Sequence, residues 1–476
     1  MPPPAYNRLN MRRFSRAILL LILPAALLVA VPAVLQANRE LAEARRLAEM
    51  APLESAVHYE AAARWMFWRR DLWELAGRCA FRGGDNAAAT RLLETALDRN
   101  FLSAAGWDEL GQAHWAQGDH ARALSTWQQA AQVNPASPDL YDHLAMADHE
   151  IADYPAEEAA LTQRLKLEED ASARYQLGLL LAGSDPDRAL GELLAASAQD
   201  AQFDPAVQTM RTTINLASLE PSEAGRLLTI GRGLGLVSEW PLAARSFEQA
   251  VRSDPRNAEA WAWLGEARQH LAQGGFDELE KALALDRNST VVRALRGLYF
   301  TRLGDHTAAL TEYLQAAQIE PDNPAWQASA GESYARTGDL ITALAAYRRA
   351  TELAPQEATY WRLLAGFCVH NDVQVLEVGL PAAMKSAELA PDDVQSLDVL
   401  GLAYTSAGLL FNAEETLKKA IELSPGYAPA HLHLAETYLR KGDSSAALSE
   451  LNLARDLDPD GPSGQLAVQM LQQYFP

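Results

Sequence analysis

Small and large apolar residues recur along most of this chain at one fixed spacing. An alanine is followed four positions later by an aromatic residue or leucine, then after three more positions by a second alanine, and after five more by a proline. Spacings of three and four place side chains on one face of a helix, and proline ends a helix because it has no amide hydrogen to donate. The pattern therefore predicts a series of amphipathic helices. Six stretches share it: Ala123/Trp127/Ala130/Pro135, Ala243/Phe247/Ala250/Pro255, Ala309/Tyr313/Ala316/Pro321, Ala343/Tyr347/Ala350/Pro355, Ala413/Leu417/Ala420/Pro425 and Ala447/Leu451/Ala454/Pro459.

Each of these helices is predicted to have a partner helix before it. A Gly-Asp pair, which can end one helix and cap the next, precedes four of the stretches. The period is 34 residues from Pro321 to Pro355 and again from Pro425 to Pro459. Because one helix pair cannot bury its apolar face alone, successive pairs are predicted to stack. The four pairs are Gly118–Asp119, Gly304–Asp305, Gly338–Asp339 and Gly442–Asp443.

These residues resemble the tetratricopeptide repeat (TPR), a helix–turn–helix unit of 34 residues. The family has a large residue, Leu-Gly and an aromatic residue in the first helix, followed by alanine, an aromatic residue, alanine and proline in the second. The resemblance implies an all-α fold, a right-handed α-solenoid of stacked repeats. It also implies a concave groove that binds a protein or peptide partner.

A charge-free segment, AILLLILPAALLVAVPAVLQA, occupies residues 17–37. It is long enough for a helix to cross a bilayer, and four arginines precede it without any acid. We therefore expect one transmembrane helix and a single-pass membrane protein, with the repeat domain on the extracytoplasmic side. A signal peptide removed near Ala37 and a repeat domain facing the cytoplasm are the open alternatives.

The repeat spacing divides the rest of the chain. Between Pro205 and Pro255 the distance is 50 residues, which predicts an extra helix near 206–223. Arg164 stands where the repeat starting near 138 should have a small alanine. The predicted segments are a basic tail (1–16), a transmembrane anchor (17–37), a linker helix with a partial repeat (38–69), about eleven TPR-like repeats (70–461) and a C-terminal capping helix (462–476).

Charge and composition narrow the function. The net charge of -21 opposes binding to nucleic acid, and two cysteines cannot form a disulfide-rich scaffold or a cysteine zinc finger. The chain has no HExxH motif, phosphate-binding glycine loop or GxSxG elbow, so we predict no cofactor, metal or catalytic residue. His143 and His149 lie among acids, a pattern that a hydrated helix face explains better than a metal cluster.

The repeat register places particular side chains of the first helices in the groove. From Asn134 to Glu223, a segment we call the acidic half, 17 acidic residues accompany five basic ones. A basic or polar peptide could be attracted there, although the same charge could merely hydrate an outer face. The predicted partner-binding residues are Asp108, Trp115, Asp139, Asp142, Met146, Glu150, Arg302, Arg336 and Arg440.

The function expected from these features is a membrane-tethered, non-enzymatic TPR scaffold or adaptor that organises an envelope complex by holding a protein partner. A cytoplasm-facing regulatory adaptor is one alternative. An enzyme or enzyme subunit with a site in the acidic half is the other. The sequence leaves the partner and the oligomeric state open.

Overall fold

The computed structural model describes residues 32–476, and every regular element in this range is helical. The chain forms two compact units, an N-terminal unit ending at Asn215 and a C-terminal unit from Leu216 to Pro476. Within each unit, successive helices joined by short turns pack side by side in pairs. The all-α, stacked-helix part of the predicted fold class is confirmed.

The N-terminal unit begins, in its described part, with two helices, continues with four helix pairs and ends with a single helix, α11. In each pair we call the leading helix the first helix and the following one the second helix. The helices are α1 (residues 32–47), α2 (Pro52–Trp65), α3 (Asp71–Arg82), α4 (Asn86–Asp98), α5 (Ala104–Ala116), α6 (His120–Val133), α7 (Pro138–Glu150), α8 (Tyr154–Leu167), α9 (Ala171–Leu181), α10 (Pro186–Gln199) and α11 (Asp204–Ala217).

The C-terminal unit contains seven further pairs, from α12/α13 to α24/α25, and a last helix, α26, that packs on α24 and α25. Its helices are α12 (Glu223–Leu236), α13 (Trp240–Ser253), α14 (Ala258–His270), α15 (Phe276–Leu285), α16 (Thr290–Arg302), α17 (His306–Ile319), α18 (Pro324–Thr337), α19 (Leu340–Leu353), α20 (Ala358–His370), α21 (Leu380–Leu389), α22 (Val394–Ser406), α23 (Leu410–Leu423), α24 (Ala428–Lys441), α25 (Ser444–Leu457) and α26 (Pro462–Tyr474).

The repeated apolar positions form the cores of the pairs. Trp127 and Phe247 are fully buried, as are the alanines before and after them on their helices. Alanine is needed there because a larger side chain would hold the neighbouring helix away. Gly111 shows how close the contact is, since a Cβ atom built there would lie 2.2 Å from Nε1 of Trp127.

The transmembrane prediction needs correction. Residues 17–31 of the expected anchor lie outside the described residues. In the range 32–476, no helix is both long and apolar enough to cross a membrane. Residues 32–37 belong to α1, whose Ala37, Leu41 and Ala44 are buried in a protein core with residues of α2 and α3. On this finding, the prediction of a single-pass membrane protein with an extracytoplasmic repeat domain is wrong.

The turns within pairs explain the Gly-Asp signal. Between α5 and α6, Gly118 has a φ of 79°, and the Asp119 side chain accepts a hydrogen bond from the backbone N–H of Arg122. A residue with a Cβ atom is strained by about 1–2 kcal/mol in this left-handed region. Between α7 and α8, Ala152 occupies the equivalent place with a φ of 59°, directly before the capping residue Asp153.

Replacing Ala152 by glycine is expected to raise the free energy of unfolding by about 0.5–1 kcal/mol, because the relief of strain exceeds the entropy that glycine loses on folding. Denaturant unfolding followed by circular dichroism measures the change. Ala159 is an exposed alanine inside α8, and its replacement by glycine should lower stability by about 1 kcal/mol. A loss of stability in both variants would contradict the strain argument.

Candidate functional site

Within each unit, neighbouring first helices contact one another. In the N-terminal unit α3 contacts α5, and in the C-terminal unit contacts join α12 to α14, α14 to α16, α18 to α20, α20 to α22 and α22 to α24. The term first-helix face is used below for the solvent-exposed side of α3, α5, α7 and α9 in one unit and of α12, α14, α16, α18, α20, α22 and α24 in the other. The predicted partner-binding residues all lie on these first helices.

Four of those residues lie along α7. Asp139, Asp142, Met146 and Glu150 are exposed, and they follow one another at intervals of three or four residues. They therefore share one face of the helix. Met146 remains 43% exposed, so this row offers apolar surface between its acids.

Asp108 links two first helices. Its carboxylate lies 2.8 Å from Nδ1 of His143 on α7 and accepts a hydrogen bond from Gln112. The His143 ring in turn stacks on Trp127. Asp108 therefore connects α5 to α7 through its contact with His143. Trp115, also on α5, is partly buried and stacks on His120 with ring centres 4.0 Å apart.

Asp142 is compensated by Arg164 of α8. Arg164 is buried, and its Nε donates to both carboxylate oxygens of Asp142 at 2.9 and 3.0 Å. Asp170 and Glu168 also lie within 3.7 Å of the Arg164 guanidinium. Burial raises the pKa of Asp142, although Arg164 opposes the rise. Of the predicted acidic residues, Asp139 and Glu150 thus remain without an ion pair among the described residues.

The two histidines of the acidic half have separate partners. His143 pairs with Asp108, whereas Nδ1 of His149 lies 3.1 Å from a Glu157 carboxylate oxygen. Over residues 32–476, no cluster of three His, Cys, Asp or Glu residues is arranged to hold a metal ion. Cys79 and Cys368 are buried free thiols in different units.

The three predicted arginines lie on separate helices of the C-terminal unit. Arg302 on α16 donates to both carboxylate oxygens of Glu266 on α14, and these hydrogen bonds raise its pKa. Arg336 on α18 is exposed, and Arg440 on α24 pairs with Glu436 of its own helix. The structure brings none of the three together.

An aromatic cavity of about 360 Å³ lies between α12 and α14. The Trp240 and His270 rings stack with centres 3.7 Å apart, and the ring centres of Phe247 and Trp263 are 6.1 Å apart. The walls of the cavity include Trp240, Phe247, Trp263, His270, Arg232 and Glu266. We call this space the aromatic cavity.

A second, polar cavity of about 600 Å³ adjoins it along the same two helices. Arg232 lines both cavities. The polar walls include Arg232, Arg256, Asn257, Glu220, Glu259 and Asp286. The two cavities together follow the seam between two neighbouring first helices.

Sequence reasoning missed the aromatic cavity. The run GRGLGL contains Gly231 and Gly235, which line the cavity and let Phe247 and Trp240 of α13 approach α12 closely. Trp263 lies on the next first helix, α14. A glycine-rich first helix beside a tryptophan-bearing one is the signal that could have indicated a cavity. The charge of the acidic half, in contrast, can be counted directly from the sequence.

Comparisons with known proteins agree with the helix pairing. Tetratricopeptide repeat models match residues 74–140, 230–274, 327–357 and 406–472. No curated protein matches the chain.

Solved structures that match the chain include yeast Tom70, at 14% identity and a TM-score of 0.42, the match covering 92% of this chain and 95% of the Tom70 chain. A chain of the APC/C hetero-tetramer Cut9–Hcn1 matches at 15% identity and a TM-score of 0.40. The match covers 94% of this chain and 97% of that chain. YrrB, described as a TPR protein with an unusual peptide-binding site, matches at 20% identity and a TM-score of 0.31. The match covers 41% of this chain and 97% of the YrrB chain. The family matches confirm the prediction from the alanine, aromatic and proline spacing: the chain contains tetratricopeptide repeats.

Proposed function

We propose that this protein is a non-enzymatic scaffold that holds a segment of a partner protein on its first-helix face. The observation that supports the proposal is the row Asp139, Met146 and Glu150 on α7, whose side chains are exposed while the buried side of the same helix packs in the repeat. The fold does not need these three side chains for packing. They are free to contact a partner.

The charge of this row favours a basic or polar segment. Asp139 and Glu150 form no ion pair among residues 32–476, whereas Asp142 is paired with Arg164 and the Asp108 carboxylate contacts the His143 ring. The attraction is therefore expected to come mainly from Asp139 and Glu150, the two acids of the α7 row that have no ion pair. Exposed charges mainly accelerate association, and salt screens them over about 8 Å at physiological ionic strength.

Site-specific photocrosslinking in the native host cells tests the face. A photoreactive amino acid at Met146 should crosslink to a partner polypeptide, which mass spectrometry identifies. The control position is Val133, which is 59% exposed on the second helix α6. Equal crosslinking at both positions, or none at Met146, would refute the assignment of this face.

With that partner in hand, Asp139→Asn/Glu150→Gln is expected to weaken binding about threefold to tenfold at low ionic strength, and less as salt rises. The cause is loss of exposed charge without a change of shape. Asp98→Asn/Asp187→Asn removes the same charge from the second helices α4 and α10 of this unit and should leave affinity unchanged. An equal effect of both double variants would indicate general electrostatic attraction and no local site.

A further inference from the structure

The end of α2 and the turn before α3 leave three aromatic side chains in solvent. Trp65, Phe67 and Trp68 are each more than half exposed, and the Phe67 and Trp68 rings meet edge to face with centres 5.1 Å apart. Met66, which lies between them in the sequence, is buried in a core shared with α1 and α3. Its backbone N–H donates to the Ala62 carbonyl at 2.9 Å, so the turn is held in place while the rings remain exposed. Soluble proteins seldom expose a patch of large apolar side chains unless it binds something.

The turn before α5 lies beside the turn before α3. Nη1 of Arg70 donates to the Arg99 carbonyl at 3.4 Å, and Phe101 is exposed two residues after Arg99. The Arg99 guanidinium lies 5.1 Å from the centre of the Trp73 ring. We call a turn that precedes a first helix an entry turn. The exposed rings and arginines of these two entry turns form what we call the aromatic edge: Trp65, Phe67, Trp68, Arg70, Arg99 and Phe101.

The two entry turns contain three arginines and no acid. Their sequences are MFWRR and RNFLS. Arg69 pairs with Asp71, whereas Arg70 and Arg99 are exposed and form no ion pair with a described residue. The exposed acid next to them is Asp98, the last residue of α4. Two cations without an ion pair therefore lie beside one such acid.

The other acids close to the aromatic edge are engaged within the fold. Glu60 is shared between Arg64 and Arg91, at 2.8 and 2.9 Å. Glu74 is buried and accepts a hydrogen bond from the backbone N–H of Ser103 at 3.0 Å. Neither acid is left to neutralise the two unpaired arginines of the edge.

Charge is distributed unevenly along the whole chain. Residues 1–70 contain ten arginines, no lysine and five acids, which gives a net charge of +5. Because the whole chain carries -21, residues 71–476 carry -26. Such a difference between two parts of a chain is typical of proteins that bind nucleic acid or a membrane surface. The charge-free sequence of residues 17–31 favours the membrane surface.

Residues 17–31 lie outside the described residues, but the described chain shows which end of α1 follows them. Oγ of Ser55 on α2 donates to the Ala44 carbonyl of α1 at 2.7 Å, and Nδ1 of His58 lies 2.6 Å from a carboxylate oxygen of Glu40. Later residues of α2 therefore contact earlier residues of α1, which makes the two helices antiparallel. The start of α1 is thus at the same end of the two helices as the aromatic edge.

We propose that the aromatic edge binds the surface of an anionic phospholipid bilayer. Phe67 and Trp68 enter the headgroup region, and Arg70 and Arg99 pair with lipid phosphates. Large aromatic rings favour the boundary between water and hydrocarbon, and arginine forms paired hydrogen bonds with phosphate oxygens. Only one surface of the bilayer is contacted, and no helix has to cross it. The inference goes beyond the scaffold function and is independent of the row on α7.

The later entry turns of the N-terminal unit limit the contact. The entry turn before α7 has the sequence NPAS, and the one before α9 has EED. Neither offers an aromatic ring or an arginine, and anionic lipids would repel the second. Binding is therefore confined to the first two entry turns. Salt screens exposed charges over about 8 Å, so acids farther along the unit oppose binding only weakly at physiological ionic strength.

Site-directed spin labelling of the full chain tests the contact. A nitroxide attached to Phe67→Cys should become protected from a water-soluble nickel complex, and remain accessible to oxygen, when vesicles of phosphatidylcholine and phosphatidylglycerol are added. The control label is attached to Phe411→Cys, because Phe411 is 75% exposed in the C-terminal unit and should stay in water. Cys79 and Cys368 are buried, and treatment of the unchanged chain checks that they do not react.

Four outcomes would overturn the proposal. The first is that the full chain does not bind the mixed vesicles, and the second is that it binds them while the label at Phe67→Cys stays accessible to nickel. Equal protection by vesicles of phosphatidylcholine alone would exclude an anionic surface as the partner. Protection before any vesicle is added would show that another protein segment or a second copy covers the edge. Crosslinking at Met146 reports on the scaffold function separately in every case.

Charge variants test the two arginines. Arg70→Gln/Arg99→Gln is expected to weaken binding to the mixed vesicles about tenfold at low ionic strength, measured by flotation of the full chain. Arg256→Gln/Arg287→Gln removes the same charge from two exposed positions in entry turns of the C-terminal unit and should change binding little. Thermal melting checks that each variant is folded. Equal weakening by both double variants would indicate a response to overall charge and would overturn the local contact.

Discussion

Replacing Glu312 by leucine is expected to lower the free energy of unfolding of the C-terminal unit by about 3 kcal/mol. Glu312 is buried on α17, with 5% of its surface exposed, and it bridges two arginines of α16. Its oxygens lie 2.7 Å from Nη1 of Arg293 and 3.0 Å from Nε of Arg296. Arg296 is itself buried and would keep only Glu280 as an acidic partner among the described residues, while Arg293 would keep none. Removing Glu312 therefore leaves poorly compensated cationic charge in a poorly hydrated place. Denaturant unfolding measures the loss.

The double variant Arg296→Met/Glu312→Leu tests the cause. Removing the Arg296 and Glu312 charges together should recover only part of the lost stability, because a buried ion pair can be exchanged for apolar groups at little cost but Arg293 still lacks its acidic partner. Glu388→Leu serves as a surface control, since Glu388 pairs with Lys385 in an exposed contact and should change stability by less than about 0.5 kcal/mol. If the double variant loses as much free energy of unfolding as its two single variants together, unpaired charge does not explain the loss in Glu312→Leu.

The helical repeats were predictable because their signal is local. Ala309, Tyr313 and Ala316 recur at helical spacing, and all three are buried where α17 meets its neighbours. Proline and the Gly-Asp turn then mark the helix ends within a few residues. Short-range packing and capping rules therefore suffice for an all-α, repeated structure.

The ionic contacts could not be predicted in the same way. Arg296 and Glu312 are 16 residues apart, and only the packing of α16 on α17 brings them together. Arg164 looked like a defect at an alanine position, yet the structure shows it paired with Asp142 on the neighbouring helix. Such a pair depends on side-chain direction across two helices, which residue spacing does not specify.

One turn departs from the repeat for a visible reason. Where Gly-Asp is missing after α20, the chain has positive φ values at Asp372 and Gln374 and then a π-helical turn, Val375–Gly379. The sequence indicates that the usual turn is absent, but not which conformation replaces it. The aromatic cavity is a similar case, because a cavity depends on which side chains fail to fill a space.

Replacing Asp148 by asparagine is expected to stabilise the N-terminal unit at neutral pH. Asp148 lies near the end of α7 with 4% of its surface exposed. Burial, followed by the negative charges of Asp153 and Glu157, raises the pKa of its carboxyl to about 6 from an ordinary 3.8. No hydrogen bond or ion pair from a described residue compensates this charge, so its ionised form destabilises the folded state.

The direction of the pH dependence follows from that rise. An unfolded Asp148 ionises near its ordinary pKa, whereas the folded protein keeps the proton until the pH reaches about 6. The favourable contribution of the protonated group is therefore fully present below about pH 4 and is lost as the pH rises toward 6. A tenfold change in the ionisation constant corresponds to about 1.4 kcal/mol.

The Asp148→Asn variant should therefore gain about 1–3 kcal/mol in its free energy of unfolding at about pH 7.5 and nothing at about pH 4. Denaturant unfolding across this pH range measures the difference from the original chain. Asp139→Asn is the matched control, because Asp139 is an exposed acid on the same helix and its replacement should change stability little at any pH. An equal gain for Asp148→Asn at both pH values would mean that the new amide forms a favourable hydrogen bond. A buried negative charge would then not be what limits the stability of α7, the helix that carries Asp139, Met146 and Glu150.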